Sequence, residues 1–330
     1  MTRSFAPLLL VLVAPLFPLL VASPARAEST LVHVVRPGET LASIADRYYG
    51  NPKRENVLVS ENGLTSEGGS AIVVGLRLSI PTVSYYRVQA GDTWAELAQR
   101  FYGDPKRAFV LIEANQGGPQ PDTAAEVLVP YPLRHVVSQS ESLRAVAKTY
   151  YEDKKGLRVL RRFNLLKTFR VQRGDILLVP LPDLVLSQEG RRIAKLEGGL
   201  ATPRGDVRAK QALITEQLPE LRERVRNGRF TEAVALANRL IGMGDLTGNQ
   251  VVTIQRELGT ALVALDRNEA AQAAFAEALK QQPDMELDLA RTSPKVRAVF
   301  EMARSRASQE GDARRAAPGE LEGRKRKRGS

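Results

Sequence analysis

Cysteine is absent from this 330-residue chain, and histidine occurs only twice, as His33 and His135. Without cysteine there is no disulfide to brace an exported fold, no thiol nucleophile, no thiolate zinc site and no N-terminal lipid anchor on sulfur. The domains must therefore fold on apolar burial alone. A zinc peptidase or amidase ordinarily needs two or more ligating histidines in one site, and these two lie about a hundred residues apart. A Ser-His-Asp triad would have to borrow one of them, and no Gly-x-Ser-x-Gly elbow occurs. Carboxylates such as Glu216, Glu220 and Glu257 stand in helical segments among basic residues, where solvated ion pairing accounts for them. The chain is expected to be non-enzymatic, with no cofactor and no metal.

Long apolar runs are scarce too. The one of any length, APLLLVLVAPLFPLLVA over residues 6–22, follows Arg3 and precedes Ala25-Arg26-Ala27. A basic start, an apolar run and small residues describe a secretory signal over residues 1–27, cleaved after Ala27. The alternative is an uncleaved anchor, but the run is short for a span and is interrupted by Pro7, Pro15 and Pro18. No membrane span is expected in the mature chain, and export to the periplasm, the cell envelope or the exterior follows. The net charge of +11 directs an exported protein toward acidic envelope polymers rather than nucleic acid.

What the chain does have is a repeat. His33-Val34-Val35, Tyr86-Arg87-Val88 and His135-Val136-Val137 align, and the same offsets bring Gly38 onto Gly91 and Ser140, and Asn62 onto Asn115 and Asn164. Each copy opens with a β-branched run that predicts a strand. An apolar stripe at i, i+3, i+4, i+7 then predicts a helix. The stripe is Leu41, Ile44, Ala45, Tyr48 in the first copy, Trp94, Leu97, Ala98, Phe101 in the second, and Leu143, Val146, Ala147, Tyr150 in the third. Thr93 with Glu96 is a capping-box pattern. A second helix is expected to end near each asparagine. The closing runs end at Pro81, Pro130 and Pro180, which should stop the last strand. The octapeptides RYYGNPKR (47–54) and RFYGDPKR (100–107) mark the corner between helices. Gly50 and Gly103 suit a left-handed helix end, and Asn51-Pro52 and Asp104-Pro105 suit the next cap. Glu152-Asp153-Lys154 is expected to keep the cap in the third copy. Lys53, Arg54, Lys106 and Arg107 are expected to face solvent.

On HVVRPGETLASIADRYYG, YRVQAGDTWAELAQRFYG and HVVSQSESLRAVAKTYY, each followed by its asparagine and closing run, the region 32–182 resembles the lysin motif (LysM) family in three tandem copies. The resemblance implies small βααβ modules that bind N-acetylglucosamine-containing glycan such as peptidoglycan. The family's groove lies between the loop after the first strand and the loop before the last. Carried over by position, the glycan-binding candidates are Pro37, Gly38, Glu39, Thr40, Leu41, Asn62, Gly63 and Leu64 in the first copy. In the second they are Gly91, Asp92, Thr93, Trp94, Asn115 and Gln116. Glycine lets a backbone donor approach a sugar acetamido group closely. A tight turn and a helix cap explain the same glycines and threonines equally well. The second copy lacks the family's Gly-x-x-Leu before its last strand, and Ser140-Glu141-Ser142 replaces the Gly-Asp-Thr turn in the third. The first copy is the best candidate, and the third is structural or tuned to another ligand.

Beyond Pro182 the composition turns to Ala, Leu, Arg, Glu and Gln. Leu258, Gly259, Leu262, Ala271, Phe275, Ala278 and Pro283 have a spacing that resembles a tetratricopeptide (TPR) repeat. Gly228-Arg229-Phe230 with Ala233 looks like a degenerate half-copy, and residues 294–306 read as a closing helix. The resemblance implies a protein partner; a spacer or self-association bundle stands beside it. The expected architecture is α+β and all-α: signal 1–27, modules at 28–82, 83–132 and 133–182, a linker 183–205, a TPR-like helical bundle 206–308 and a basic disordered tail 309–330. The expected function is a non-enzymatic envelope protein that holds peptidoglycan glycan strands and positions a protein partner. A cell-wall hydrolase, a hydrolase activator, and an assembly scaffold that has lost sugar binding are the alternatives.

Overall fold

The computed structural model describes residues 30–64, 72–138, 141–151, 155–196, 205–288 and 292–316. Residues 1–27, expected to be an export signal, together with Ser140, Glu152-Asp153-Lys154 and the basic run 324–328, lie outside them. Unit 1 runs β1 (Thr30–Val34), α1 (Leu41–Tyr49), α2 (Glu55–Glu61), β2 (Arg77–Pro81). Unit 2 is β3 (Ser84–Arg87), α3 (Trp94–Tyr102), α4 (Ala108–Asn115), β4 (Glu126–Val129), and unit 3 is β5 (Tyr131–Val136), α5 (Leu143–Tyr150), α6 (Gly156–Phe163), β6 (Ile176–Leu181). In each, first and last strands pair antiparallel, with His33 opposite Leu78, Tyr86 opposite Val127 and His135 opposite Leu177.

Local chemistry sets these boundaries. Thr40 and Thr93 start α1 and α3 through capping boxes with Ser43 and Glu96. Gly50 and Gly103 end them in the left-handed conformation. Short 3-10 turns at Pro52–Arg54 and Pro105–Arg107 follow, capped by Asn51 and Asp104. In unit 3, α6 opens behind Lys155 with no side-chain cap. Asn62, Asn115 and Asn164 then act as clamps. Each amide donates to a carbonyl four residues back and to the last strand (Ser79, Leu128, Leu178), and its Oδ1 accepts the N–H of that same strand residue at 2.7 Å. With three bonds made, the amide locks the second helix onto the sheet.

Several expectations need correction. The stripe of α3 buries Trp94, Leu97, Ala98 and Tyr102, whereas Phe101 is only partly covered and packs edge-on against Tyr86. The Tyr102 hydroxyl donates to the Pro130 carbonyl, as Tyr49 and Tyr151 do to Pro81 and Pro180, but only in units 1 and 3 does a histidine also hold the preceding tyrosine inward; Phe101 has no hydroxyl for such a bond, and Tyr102 packs edge-on against Phe163. β4 ends just before Pro130 and β2 ends on Pro81, as expected, whereas β6 runs one residue past Pro180. A two-stranded sheet has only edge strands, so a proline can sit where no N–H is required.

The three units are docked rather than strung out. Arg54 and Arg107, expected in solvent, both reach unit 3. Arg54 Nη1 donates to the Tyr150 carbonyl at 2.9 Å and its Nη2 pairs with Asp183; Arg107 Nε donates to the Phe163 carbonyl at 2.9 Å and lies over the Phe163 ring. Val57 of unit 1 is buried in the core of unit 3, and Phe163 of unit 3 in the core of unit 2. A cavity of about 430 Å³ remains where the three meet, bordered by Arg54, Glu113, Tyr150 and Lys155.

The expected linker is partly folded. Leu184 accepts from Val83 N–H and the Thr82 hydroxyl, and α7 (Gln188–Leu196) lies on unit 1, with Leu186 and Ala194 in its core. Ser187 donates to the carbonyls of Tyr48 and Arg47. The helical half comprises α8 (Asp206–Arg226), α9 (Phe230–Gly242), α10 (Gly248–Ala264), α11 (Asn268–Gln281) and α12 (Pro294–Ala316). Helix α12 continues through Ala316, so residues 309–316 are helical and not part of a disordered tail. Leu258, Gly259, Leu262, Ala271, Phe275 and Ala278 are all buried between α10 and α11. A Cβ at Gly259 would come within 2.6 Å of the Phe275 ring, which is why glycine stands at that crossing. Among the described residues no helix is long and apolar enough to cross a membrane.

Candidate functional site

The turn after β1 is built from Arg36 to Glu39. Glu39 N–H donates to the Arg36 carbonyl at 3.2 Å, and Gly38 takes φ +83°, a conformation that L side chains rarely adopt. Beneath this turn lies an anchor. His33, buried on β1, bonds the Tyr48 hydroxyl through Nδ1 at 3.2 Å and the Glu39 carboxylate through Nε2 at 2.8 Å. Glu39 also accepts from Arg36 N–H at 2.8 Å and pairs with Arg47. Burial alone would raise the Glu39 carboxyl, but the Arg36 amide, His33 and Arg47 together hold it at about 2.

The same anchor recurs. In unit 3, His135 joins Tyr150 at 2.9 Å and Glu141 at 3.1 Å. Glu141 is likewise held below the usual carboxylate range: burial opposes this, and the Ser138 amide and His135 outweigh it. In unit 2, Tyr86 replaces the histidine and donates to Asp92 at 2.9 Å. Residues 33, 86 and 135 thus each tie the turn carboxylate to the strand, a role that their shared register hinted at.

The candidates divide accordingly. Pro37, Gly38, Thr40 and Gly63 are exposed on unit 1, while Leu41 is buried and Leu64 packs partly against the core. Glu39 faces the anchor, and the Asn62 side chain is tied to Ser79, not to the Gly38 turn. Two residues that the sequence reasoning passed over stand beside that turn. Val73 and Val74 are 65% and 62% exposed, and the loop that carries them bonds Val35 through Gly75 N–H at 2.8 Å. Two adjacent β-branched residues ahead of a glycine, outside any strand, were the available signal.

Unit 2 presents its counterpart loops differently. Gly91 and Gln116 are exposed, but Trp94 is buried and its indole N–H donates to the Gly118 carbonyl at 3.0 Å. Thr93 is engaged in its capping box, and Asp92 in the Tyr86 contact. The loop before β4 faces the helical half. Asn249 N–H donates to Asp122 at 3.1 Å, Gly248 N–H to the Thr123 carbonyl at 2.8 Å, and Gln211 Nε2 to the Ala124 carbonyl at 2.9 Å. Arg208 from α8 bonds the Asn115 side chain, and Arg87 pairs with Asp245 at 2.8 Å. The loop position that unit 1 leaves exposed is, in unit 2, a contact with α8 and α10.

Among the described residues no cluster of histidine and acidic side chains could hold a metal ion. In comparison with known proteins, residues 33–81 match the LysM domain. Two curated Mycobacterium tuberculosis proteins, Esterase MT1326 (strain CDC 1551 / Oshkosh) and Esterase Rv1288 (strain ATCC 25618 / H37Rv), are each 35% identical to this chain over 124 residues. Those residues are 37% of this chain and 26% of each esterase, so the chain spans about a quarter of the length of these relatives. The LysM match implies binding of peptidoglycan or a related glycan, in the extracellular or cell-envelope setting where such domains are found.

Proposed function

We propose that this protein is a non-enzymatic, exported envelope protein that holds N-acetylglucosamine-containing glycan through unit 1 and positions a protein partner on its helical half. The carrying observation is the LysM match over residues 33–81 together with the open turn of Pro37, Gly38 and Thr40 beside Val73 and Val74. In this reading, backbone groups around Gly38 meet an acetamido N–H or carbonyl, and the valines receive its methyl group. Units 2 and 3 are further LysM copies; unit 2 carries the TPR-like bundle, and its groove loop is given over to that contact. Docked units present their surfaces at set spacings, which limits any gain from multivalency to glycan strands that match them.

Sedimentation with purified peptidoglycan sacculi tests the assignment. The chain from residue 28 onward should pellet, and Gly38→Val or Val73→Asp/Val74→Asp should move it to the supernatant. A parent protein that stays in solution refutes the reading.

The partial match to the two esterases favours ester hydrolysis as the second reading. Both ring nitrogens of His33 and of His135 are already engaged, by tyrosine and glutamate, which leaves neither to activate a serine. Turnover of p-nitrophenyl acetate that is unchanged by His33→Gln and His135→Gln, yet above the buffer rate, would favour the esterase reading with a different base.

A further inference from the structure

Charge is unevenly divided among the three units. Residues 133–182 carry eleven lysines and arginines against four acids, a net +7, whereas 28–82 and 83–132 come to −1 and −2. Part of this excess lies in the loop from α6 to β6, where Lys167, Arg170 and Arg173 are exposed. Arg161 lies over the Phe169 ring at 4.9 Å, which keeps a guanidinium beside that aromatic side chain.

The same end of unit 3 exposes large apolar side chains alongside these cations, whereas unit 1, which exposes Val73 and Val74, carries no such excess of positive charge. Phe169 is 51% exposed and Leu165 is 45% exposed. Leu165 takes φ +55°, at the position where unit 1 has Gly63 and unit 2 has Gln116, so a bulky apolar side chain is held outward at a backbone cost. The outermost cross-strand pair changes in parallel. It is Val34–Arg77 in unit 1 and Arg87–Glu126 in unit 2, but Val136–Ile176 in unit 3, 61% and 53% exposed. The hairpin and the loop meet where Gly174 N–H donates to the Val137 carbonyl at 2.9 Å. Asn164, next to the left-handed Leu165, is tied to Leu178, two residues into β6 from Ile176, so the loop that carries Phe169 starts and ends beside the apolar strand pair.

We propose that this end of unit 3 is a peripheral docking site for an anionic phospholipid surface. Phosphate headgroups would meet Lys167, Arg170 and Arg173, while Phe169, Leu165, Val136 and Ile176 would enter the boundary between headgroups and acyl chains. A soluble polyanion would satisfy the cations but give no reason for four outward apolar side chains. An anionic bilayer surface accounts for both. The site adds a membrane-facing contact to the glycan contact of unit 1, and it stands whether or not unit 1 binds sugar.

Vesicle flotation tests it on the chain from residue 28 onward, which keeps every described residue and removes the apolar run 6–22 that would itself partition. The parent should float with phosphatidylglycerol/phosphatidylcholine vesicles and not with pure phosphatidylcholine. Each cation near an anionic surface is worth about fivefold in partitioning, so Lys167→Ala/Arg170→Ala should lower the bound ratio about thirtyfold. Phe169→Ser should leave binding at low salt but abolish what persists at 0.5 M salt. Far-UV circular dichroism melts should match the parent, since all three side chains are exposed. Equal flotation of parent and variants overturns the proposal, because the basic run 324–328 would then suffice. A parent that binds polyphosphate but no vesicle also overturns it, in favour of a polymer ligand.

Discussion

Replacing Glu39 with glutamine isolates the charge beneath the candidate turn while preserving its shape. In the fold this carboxyl ionises at about 2, against about 4.3 in an unfolded chain. A carboxyl depressed by that much stabilises the folded state by about 3 kcal/mol at neutral pH. Screening of Arg47, whose side chain is 31% exposed, brings the expected effect to about 2 kcal/mol. Because the folded value is the lower one, the contribution is fully present above about pH 4.3 and disappears as pH falls toward 2. About half is gone by pH 3. Hydrogen exchange of the α1 amides reads unit 1 by itself, which a global melt of a multi-unit chain would not. At pH 7 the Glu39→Gln protein should exchange about thirtyfold faster than the parent, and at pH 3 only about fivefold faster. The same ratio at both pH values would show that the ionised carboxylate is not what secures the turn, and would refute the reasoning. His33 and Arg36 stay in place in this variant, so a loss of glycan binding alongside the faster exchange would connect the anchor to the site above it.

Ala124 takes φ +62° where units 1 and 3 have Gly75 and Gly174. Ala124→Gly should stabilise unit 2 by about 0.5–1 kcal/mol, the left-handed cost less the extra chain entropy of glycine. Fluorescence of Trp94, the single tryptophan, reports it as a higher denaturation midpoint, and a lower one would contradict the strain argument. Gly259→Val should destabilise the helical half by about 2 kcal/mol by driving a side chain into the Phe275 ring; an unchanged circular dichroism melt would show that α10 and α11 can separate at no cost. Arg54→Ala with Arg107→Ala should leave the Tyr150 and Phe163 carbonyls without these donors, at about 1–3 kcal/mol each. The expected outcome is a larger radius of gyration in small-angle scattering, and an identical curve would mean that Val57 and Phe163 hold the units together without the arginines.

The sequence by itself determined the local structure of this protein. Strand–helix–helix–strand order, the Thr93 capping box, the left-handed glycines at 50 and 103 and nearly every buried stripe position depend on residues within a few places of one another. Periodicity and cap chemistry report such relations directly. The one stripe position misread, Phe101 for Tyr102, failed because the histidine bond that holds Tyr48 and Tyr150 inward has no counterpart at Phe101, while Tyr102 packs against Phe163, 61 residues away. The arrangement between units was decided only by the tertiary structure. The arginines that end RYYGNPKR and RFYGDPKR look solvated next to their neighbours in sequence, yet their partners are carbonyls 96 and 56 residues away. Glu39 reads as a loop residue open to sugar until the fold brings His33 and Arg47 against it. Gln211 and Gly248 likewise give no sign that they face the groove loop of unit 2. Pairings at such separation leave no period in the sequence; they exist only once three cores and a helical bundle have packed, and that packing leaves the turn of unit 1 open while it sets the corresponding loop of unit 2 against α8 and α10.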